Sequence, residues 1–156
     1  MEEVIDRIIA EIKAMIALPR SSDGIADVIE IKDVYFGDPG VIPQSLMPAI
    51  IVEPKSEVPT AETTGYDRRS INVDIMLMID ARQYFEVDSS EAIGDRILVQ
   101  SSETIARWFR MKDKRQLDGL VIDTVVLDTT YDVEPRGNAI VKTGRVSLMI
   151  SKGFAR

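Results

Sequence analysis

The sequence predicts an α+β domain, with a mainly antiparallel sheet and two helices packed on one face of that sheet. Three observations lead to this prediction: a long strand pattern with a fully apolar side, two amphipathic helical patterns, and a terminal pair of strand patterns joined by a short turn. A chain of 156 residues can bury a substantial core and is most simply one unit. We therefore expect residues 1–156 to form a single domain.

The long strand pattern lies at Arg69–Ala81, RSINVDIMLMIDA. Its apolar side consists of Ile71, Val73, Ile75, Leu77 and Ile79. Because successive side chains alternate across a strand, these residues share one face, and the other face is polar at both ends with Met76 and Met78 in the middle. Such a strand needs partner strands for its backbone and helices over its apolar face.

Two segments have the apolar spacing of a helix. The first helix is predicted over Glu2–Ala17, and Pro19 ends it. The second is predicted from a capping region at Asp88–Ser90 through Phe109. The simplest role for these helices is to cover the apolar strand face. The alternative for the first helix is packing on a neighbouring subunit.

Further strands are predicted from apolar runs bounded by turn residues. They lie near Glu30–Tyr35, at Pro48–Glu53, at Leu120–Glu134 and at Ala139–Ser151. Pro135–Asn138 consists largely of residue types that favour turns, and it predicts a hairpin between the last two strands. Gly144 is a candidate position for a β-bulge, and Lys152–Arg156 is expected to be a short tail.

Two connecting segments are candidates for contacts with other chains. Lys55–Arg68 contains few large apolar residues, so we expect a long connection before the main strand. The alternative is an extended hairpin arm at about residues 55–68 that reaches beyond the domain. Val41–Met47 is predicted to be a loop with exposed Leu46 and Met47, which either pack on the core or contact another chain.

The composition narrows the class of function. There are 19 Lys and Arg against 26 Asp and Glu, a net charge of −7, which argues against a dedicated nucleic-acid binder. The absence of Cys and His removes thiolate chemistry, the commonest general base and the commonest zinc ligand. The charged N-terminal segment is neither a signal peptide nor a membrane span, and we expect no membrane partner.

Carboxylates on the predicted strands are the best candidates for chemistry. They are Asp74, Asp80, Asp123, Asp128, Asp132 and Glu134. Carboxylates that converge at strand ends can bind Mg²⁺ and support phosphodiester cleavage, so a small metal-dependent phosphodiesterase is the alternative function. Asp123 and Asp128 have opposite parity, however, and point to opposite faces unless a bulge intervenes. We expect these carboxylates to be solvated, with no catalytic, cofactor or metal site.

A series of features follows a recognisable order along nearly the whole chain. It runs from the N-terminal amphipathic helix through the GDPG turn and PAIIVEP strand, the long alternating strand, and a helix ending in ARWFRMKDK, to a final hairpin that ends in RVSLMIS. This order resembles that of tail terminator and head–tail joining (tail completion) proteins of long-tailed bacteriophages. The resemblance implies no catalytic residues. It implies a subunit that closes into a hexameric ring, stops tail-tube growth and docks the tail to the head connector.

The resemblance therefore implies a structural virion protein of the tail or neck, present in the host cytoplasm during assembly. Its partners are further copies of itself, the tail tube protein, and head connector or neck proteins. Another tail or neck subunit is an alternative within this class, and a host-side regulatory or adaptor domain is a third possibility.

DNA would pass through such a ring without specific binding, so the channel wall should be neutral or acidic. The four candidate lumen residues are Glu57, Glu62, Asp67 and Asp74. Leu46 and Met47 are the further subunit-interface candidates.

Overall fold

A computed structural model describes residues 1–17, 31–63, 66–82 and 93–155. Two helices and five strands form these parts of the chain. They are α1 (Glu2–Ile16), β1 (Asp33–Phe36), β2 (Ala49–Thr63), β3 (Tyr66–Asp80), α2 (Ile93–Arg110), β4 (Asp123–Arg136) and β5 (Ala139–Ala155). The α+β class is confirmed.

The five strands form one sheet in the order β1-β2-β3-β5-β4. Only β1 and β2 run parallel, and every other neighbouring pair is antiparallel. The predicted strand near Glu30–Tyr35 corresponds to β1, although Glu30 lies outside the described residues. The predicted cap at Asp88–Ser90 also lies outside them, so its role in starting α2 stays a prediction.

Both helices pack on the face of the sheet that the sequence pattern predicted. Val4, Ile5, Ile8 and Ile12 of α1 and Phe109 of α2 are fully buried in one cluster with the apolar side of β3. That side is formed by Ile71, Val73, Ile75, Leu77 and Ile79, none of which is exposed. We call this side of the sheet the helix face and the opposite side the open face.

The segment predicted as a long connection is instead part of a hairpin. β2 continues to Thr63 and pairs with β3 from Ala49↔Met78 to Thr63↔Tyr66, so the arm alternative is the correct one. The predicted tail is also wrong, because β5 continues to Ala155 and pairs with β3 from Val141 to Ala155. The last core residues are Ile71 and Ile150, and five further pairs of β3 and β5 residues extend about 16 Å beyond them. We call this three-stranded extension of β2, β3 and β5 the arm.

A second, smaller cluster lies on the open face. Met76 and Met78 of β3 are buried there with Ile42, Met47 and Ile51. The prediction that Met47 is exposed is therefore wrong: its side chain is fully buried, because the methionines of β3 offer it an apolar surface. Leu46, in contrast, is 39% exposed.

Gly144 lies in an uninterrupted ladder and does not mark a bulge. It pairs with Leu77 and with Tyr131, and the register on both sides is continuous. Its role is close packing, since a Cβ atom there would overlap the Oγ atom of Ser102 on α2. The missing side chain lets the helix approach β5. The bulge in β4 falls instead between Val126 and Asp128.

We predict that Gly144→Ala destabilises the fold by about 1–3 kcal/mol, because the added methyl group pushes α2 away from the sheet. Ser102→Ala removes the overlapping oxygen, which has no hydrogen-bond partner among the described residues, and should by itself have little effect on stability. The double variant should recover most of the loss. Urea unfolding of the four proteins measures this coupling, and strict additivity of the two changes would contradict it.

A buried carboxylate joins the two helices. Glu11 of α1 is 3% exposed and accepts hydrogen bonds from Trp108 Nε1 at 3.1 Å and from Arg7 at 2.8 Å, while Lys114 Nζ lies 3.2 Å away. Burial strongly disfavours the charge, but these three donors together outweigh it and hold the pKa of Glu11 below its ordinary value of 4.5. The ionised form is therefore favoured by the folded state.

This depressed pKa gives a pH dependence with a definite sign. The stabilisation from Glu11 is fully present above its ordinary pKa of 4.5 and is lost as the pH falls through the lower, folded-state value. Glu11→Gln should cost about 1.5–3 kcal/mol near neutral pH and should reduce the loss of stability that accompanies acidification below about pH 5.

The single tryptophan, Trp108, reports unfolding in urea across this pH range. Glu2→Gln, at an exposed position on the same helix, is the matched control and should follow the parent protein. Parallel stability curves for Glu11→Gln and the parent would contradict the role of Glu11.

Candidate assembly surfaces of the sheet

The bulge in β4 determines which face its carboxylates occupy. Leu127 is left unpaired between Val126↔Leu148 and Asp128↔Ser147, so side-chain alternation restarts after it. Asp123 and Asp128 pair with Ser151 and Ser147, two residues of equal parity on β5. Because Leu148 and Ile150 lie in the core on the helix face, the two aspartates belong to the open face. Both therefore lie on one side of the sheet despite their opposite parity in the sequence.

The open face of β2–β5 carries more carboxylates than cations. The carboxylates are Glu53, Asp74, Asp80, Asp123, Asp128, Asp132 and Glu134, and the cations are Lys55, Arg68, Arg136 and Arg145. At the centre of this face, Asp74 accepts a hydrogen bond from Ser147 Oγ at 2.8 Å, and Arg145 Nε and Lys55 Nζ lie 3.5 and 3.9 Å from its other oxygen. Asp74 is thus a nearly buried carboxylate, 8% exposed, whose oxygens are held by these three side chains.

The four predicted lumen candidates do not share a surface. Asp74 lies on the open face, whereas Glu57 and Asp67 pair with Ile71 and Ala61 on the helix face of the arm. Glu57 accepts a hydrogen bond from Arg69 at 2.7 Å, and this bond holds the pKa of Glu57 below its usual range. Glu62 belongs to β2, but its side chain lies outside the described part of the structure.

The strand carboxylates provide no cluster for a metal ion within the described residues. Asp123 is instead held by Arg115, whose Nε and Nη2 donate to its two oxygens at 2.9 and 2.7 Å. These hydrogen bonds lower the pKa of Asp123. The phosphodiesterase alternative therefore gains no support from the arrangement of these carboxylates.

An ion pair fastens the loop after β1 to the hairpin between β4 and β5. Arg136 donates to both oxygens of Asp38 at 2.8 and 2.9 Å, and its Nε donates to Glu134 at 2.8 Å. The hydrogen bond from Arg136 lowers the pKa of Asp38 and in turn raises that of Arg136. This contact was not predicted, because Asp38 and Arg136 lie in segments whose sequence indicates only turns. Their opposite charges were the available signal, but no pattern links positions 98 residues apart.

The two long free edges of the sheet differ in their capacity to pair with another strand. Beyond Val52, β2 has no partner on its outer side among the described residues, and Pro54 and Pro59 in this stretch have no N–H to donate. β4 is the opposite edge and likewise has no outer partner within the ranges that the structure describes. Its N–H groups at Thr124 and Val133 donate to the side chains of Asp123 and Asp132, respectively. The edge also exposes apolar side chains, with Leu127 54% and Val133 59% exposed.

No protein-family model and no curated protein sequence matches this chain. In the part of the chain that the structure describes, no helix has the length and apolar character needed to cross a membrane. The surfaces of the sheet and the order of elements in the sequence are therefore the observations that bear on function.

Proposed function

We propose that this chain is a structural virion subunit of the tail or neck of a long-tailed bacteriophage. In this proposal it forms a hexameric ring that caps the tail tube and joins it to the head connector. Assembly takes place in the host cytoplasm. The order of elements in the sequence supports the family, and the α+β fold with both helices on one face of the sheet is compatible with it.

The arm is the observation that carries this proposal. Its strands continue five residue pairs past Ile71 and Ile150, and none of these pairs belongs to the core cluster. Val58, on the open face of the arm, is 51% exposed. A projecting, partly apolar arm is suited to contact a neighbouring subunit, and a heterologous contact of this kind closes into a ring when the rotation between copies permits.

The charge of the open face supports a role as the channel wall. Carboxylates predominate there. Cationic side chains bind DNA because they displace counterions from its phosphates, and a mainly acidic wall cannot do this. Of the four sequence candidates for the lumen, Asp74 alone is described on this face, and Asp128 and Asp132 are exposed there. We therefore assign the channel to the face opposite the helices.

The ring function is tested by electron microscopy of particles made without this protein. We expect tails of uncontrolled length that are not joined to heads, and rescue by the parent chain. Val58→Asp should fold normally but fail to rescue, because it places a charge on the arm contact. The matched control, Val99→Asp on α2 at a position 39% exposed, should rescue. Tails of normal length joined to heads in the absence of the protein would overturn the proposal.

The channel assignment is tested separately by charge reversal. Asp128→Lys with Asp132→Lys changes the open face, while Glu57→Lys with Asp67→Lys changes the helix face. Each double variant brings the formal net charge from −7 to −3. The first pair should slow DNA ejection from assembled particles, most strongly at low salt where screening is weakest, and the second should not. Equal ejection by both variants at every salt concentration would remove the open face from the channel.

A further inference from the structure

A basic cleft lies between the end of α2 and the start of β4, and no role described above uses it. It has a volume of about 220 Å³ and is lined by Arg110, Arg115, Thr124, Val125 and Val126. Arg110 is the last residue of α2, and Thr124 is the second residue of β4. The cleft therefore opens beside the free edge of the sheet.

Two polar groups in the cleft are available to a ligand. Arg110 is exposed and has no ion-pair or hydrogen-bond partner among the residues that the structure describes. Thr124 is 1% exposed, and its buried hydroxyl lacks a hydrogen-bond partner in the same part of the chain. Burying a hydroxyl without a partner is costly, so the group is suited to a ligand that supplies one. Arg115 contributes positive charge while its Nε and Nη2 hold Asp123.

The edge position of β4 restricts what can enter the cleft. Residues that lie directly opposite each other on neighbouring strands point to the same face, with Cβ atoms about 4.5–5.5 Å apart. Thr124 faces the helix side, as its partner Ile150 does. A residue placed opposite Thr124 by a strand added outside β4 would therefore direct its side chain into the cleft, towards Arg110.

We propose that this cleft binds the carboxylate of an acidic residue carried by an extended segment of a partner protein, which pairs with the free edge of β4. Arg110 and the Thr124 hydroxyl would donate to that carboxylate. At present the Thr124 N–H donates to Asp123 Oδ1 at 2.9 Å, and a backbone carbonyl of the segment would replace this oxygen as the acceptor. This inference does not depend on the tail function, because it requires only the free edge and the cleft.

The apolar surroundings favour a protein segment over nucleic acid. Ile122 and Val125 beside the cleft are 38% and 37% exposed, and the exposed Leu127 follows along the edge. A peptide strand can cover these side chains while its backbone bonds to β4. A phosphate backbone gains its affinity from a series of cations, whereas the continuation of β4 carries the acidic Asp128 and Asp132.

The probe is an acetylated and amidated seven-residue peptide of alternating valine and threonine with one central glutamate. NMR of the full chain should give peptide-induced shifts at the amides of Thr124–Val133. Replacing the glutamate of the peptide with glutamine should weaken binding at least ten-fold, and so should Arg110→Gln. Arg107→Gln, an exposed arginine on the same helix that does not line the cleft, is the matched control and should bind like the parent.

A second variant separates recognition from folding. Thr124→Val removes the unpartnered hydroxyl and keeps the shape of the side chain, so its melting temperature should equal or exceed that of the parent, while its affinity for the peptide should fall. Failure of both peptides to bind, equal binding of both, or shifts outside β4 and the cleft would overturn the proposal. Binding of a single-stranded oligonucleotide that shifts the Arg110 amide, without any binding of the acidic peptide, would also overturn it in favour of phosphate recognition.

Discussion

The pairing of β3 with a neighbour on each side, along nearly its whole length, is the constraint on which the rest of this fold depends. β3 pairs with β5 from Tyr66 to Asp80, and with β2 over nearly the same length. A central strand of this length provides hydrogen-bond partners for the backbone N–H and C=O groups of its neighbours, well beyond the part of the sheet that the helices cover. The core, the arm and, through β5, the acidic open face therefore all take their positions from this one strand.

The parts of the fold that could be predicted from the sequence are those with a strong local pattern. The alternation in β3 and the amphipathic stripe of α1 each indicate directly which side chains are buried. Both elements and their packing were therefore predicted correctly. The arm has no such signal, because Lys55–Thr63 is rich in polar residues and contains Pro59. It is a strand because β3 offers it a pairing edge, which is a tertiary effect. The burial of Met47 likewise depends on methionines some thirty residues away.

The candidate surfaces were harder to predict than the fold, and the reason is register. Glu57, Asp67 and Asp74 are close in sequence and all acidic, but strand parity and the irregularity between Pro54 and Ser56 decide which face each one occupies. The free edge of β4 could not be read from its sequence, since an edge is defined by which strand is missing. The cleft beside it needs the end of α2 and the start of β4 together, and only the folded chain brings these into contact.

The unpaired residue in β4 also bears on how this chain can vary in length. Val126 and Asp128 already pair with consecutive residues of β5, so Leu127 adds to the chain without adding to the ladder. Loss of this residue leaves a regular strand in which every remaining side chain keeps its face. Loss of a paired residue such as Thr130 exchanges the two faces on one side of the gap. A one-residue deletion is therefore tolerable in this strand at Leu127, and related chains that differ in length here are expected to align with their gap at that position.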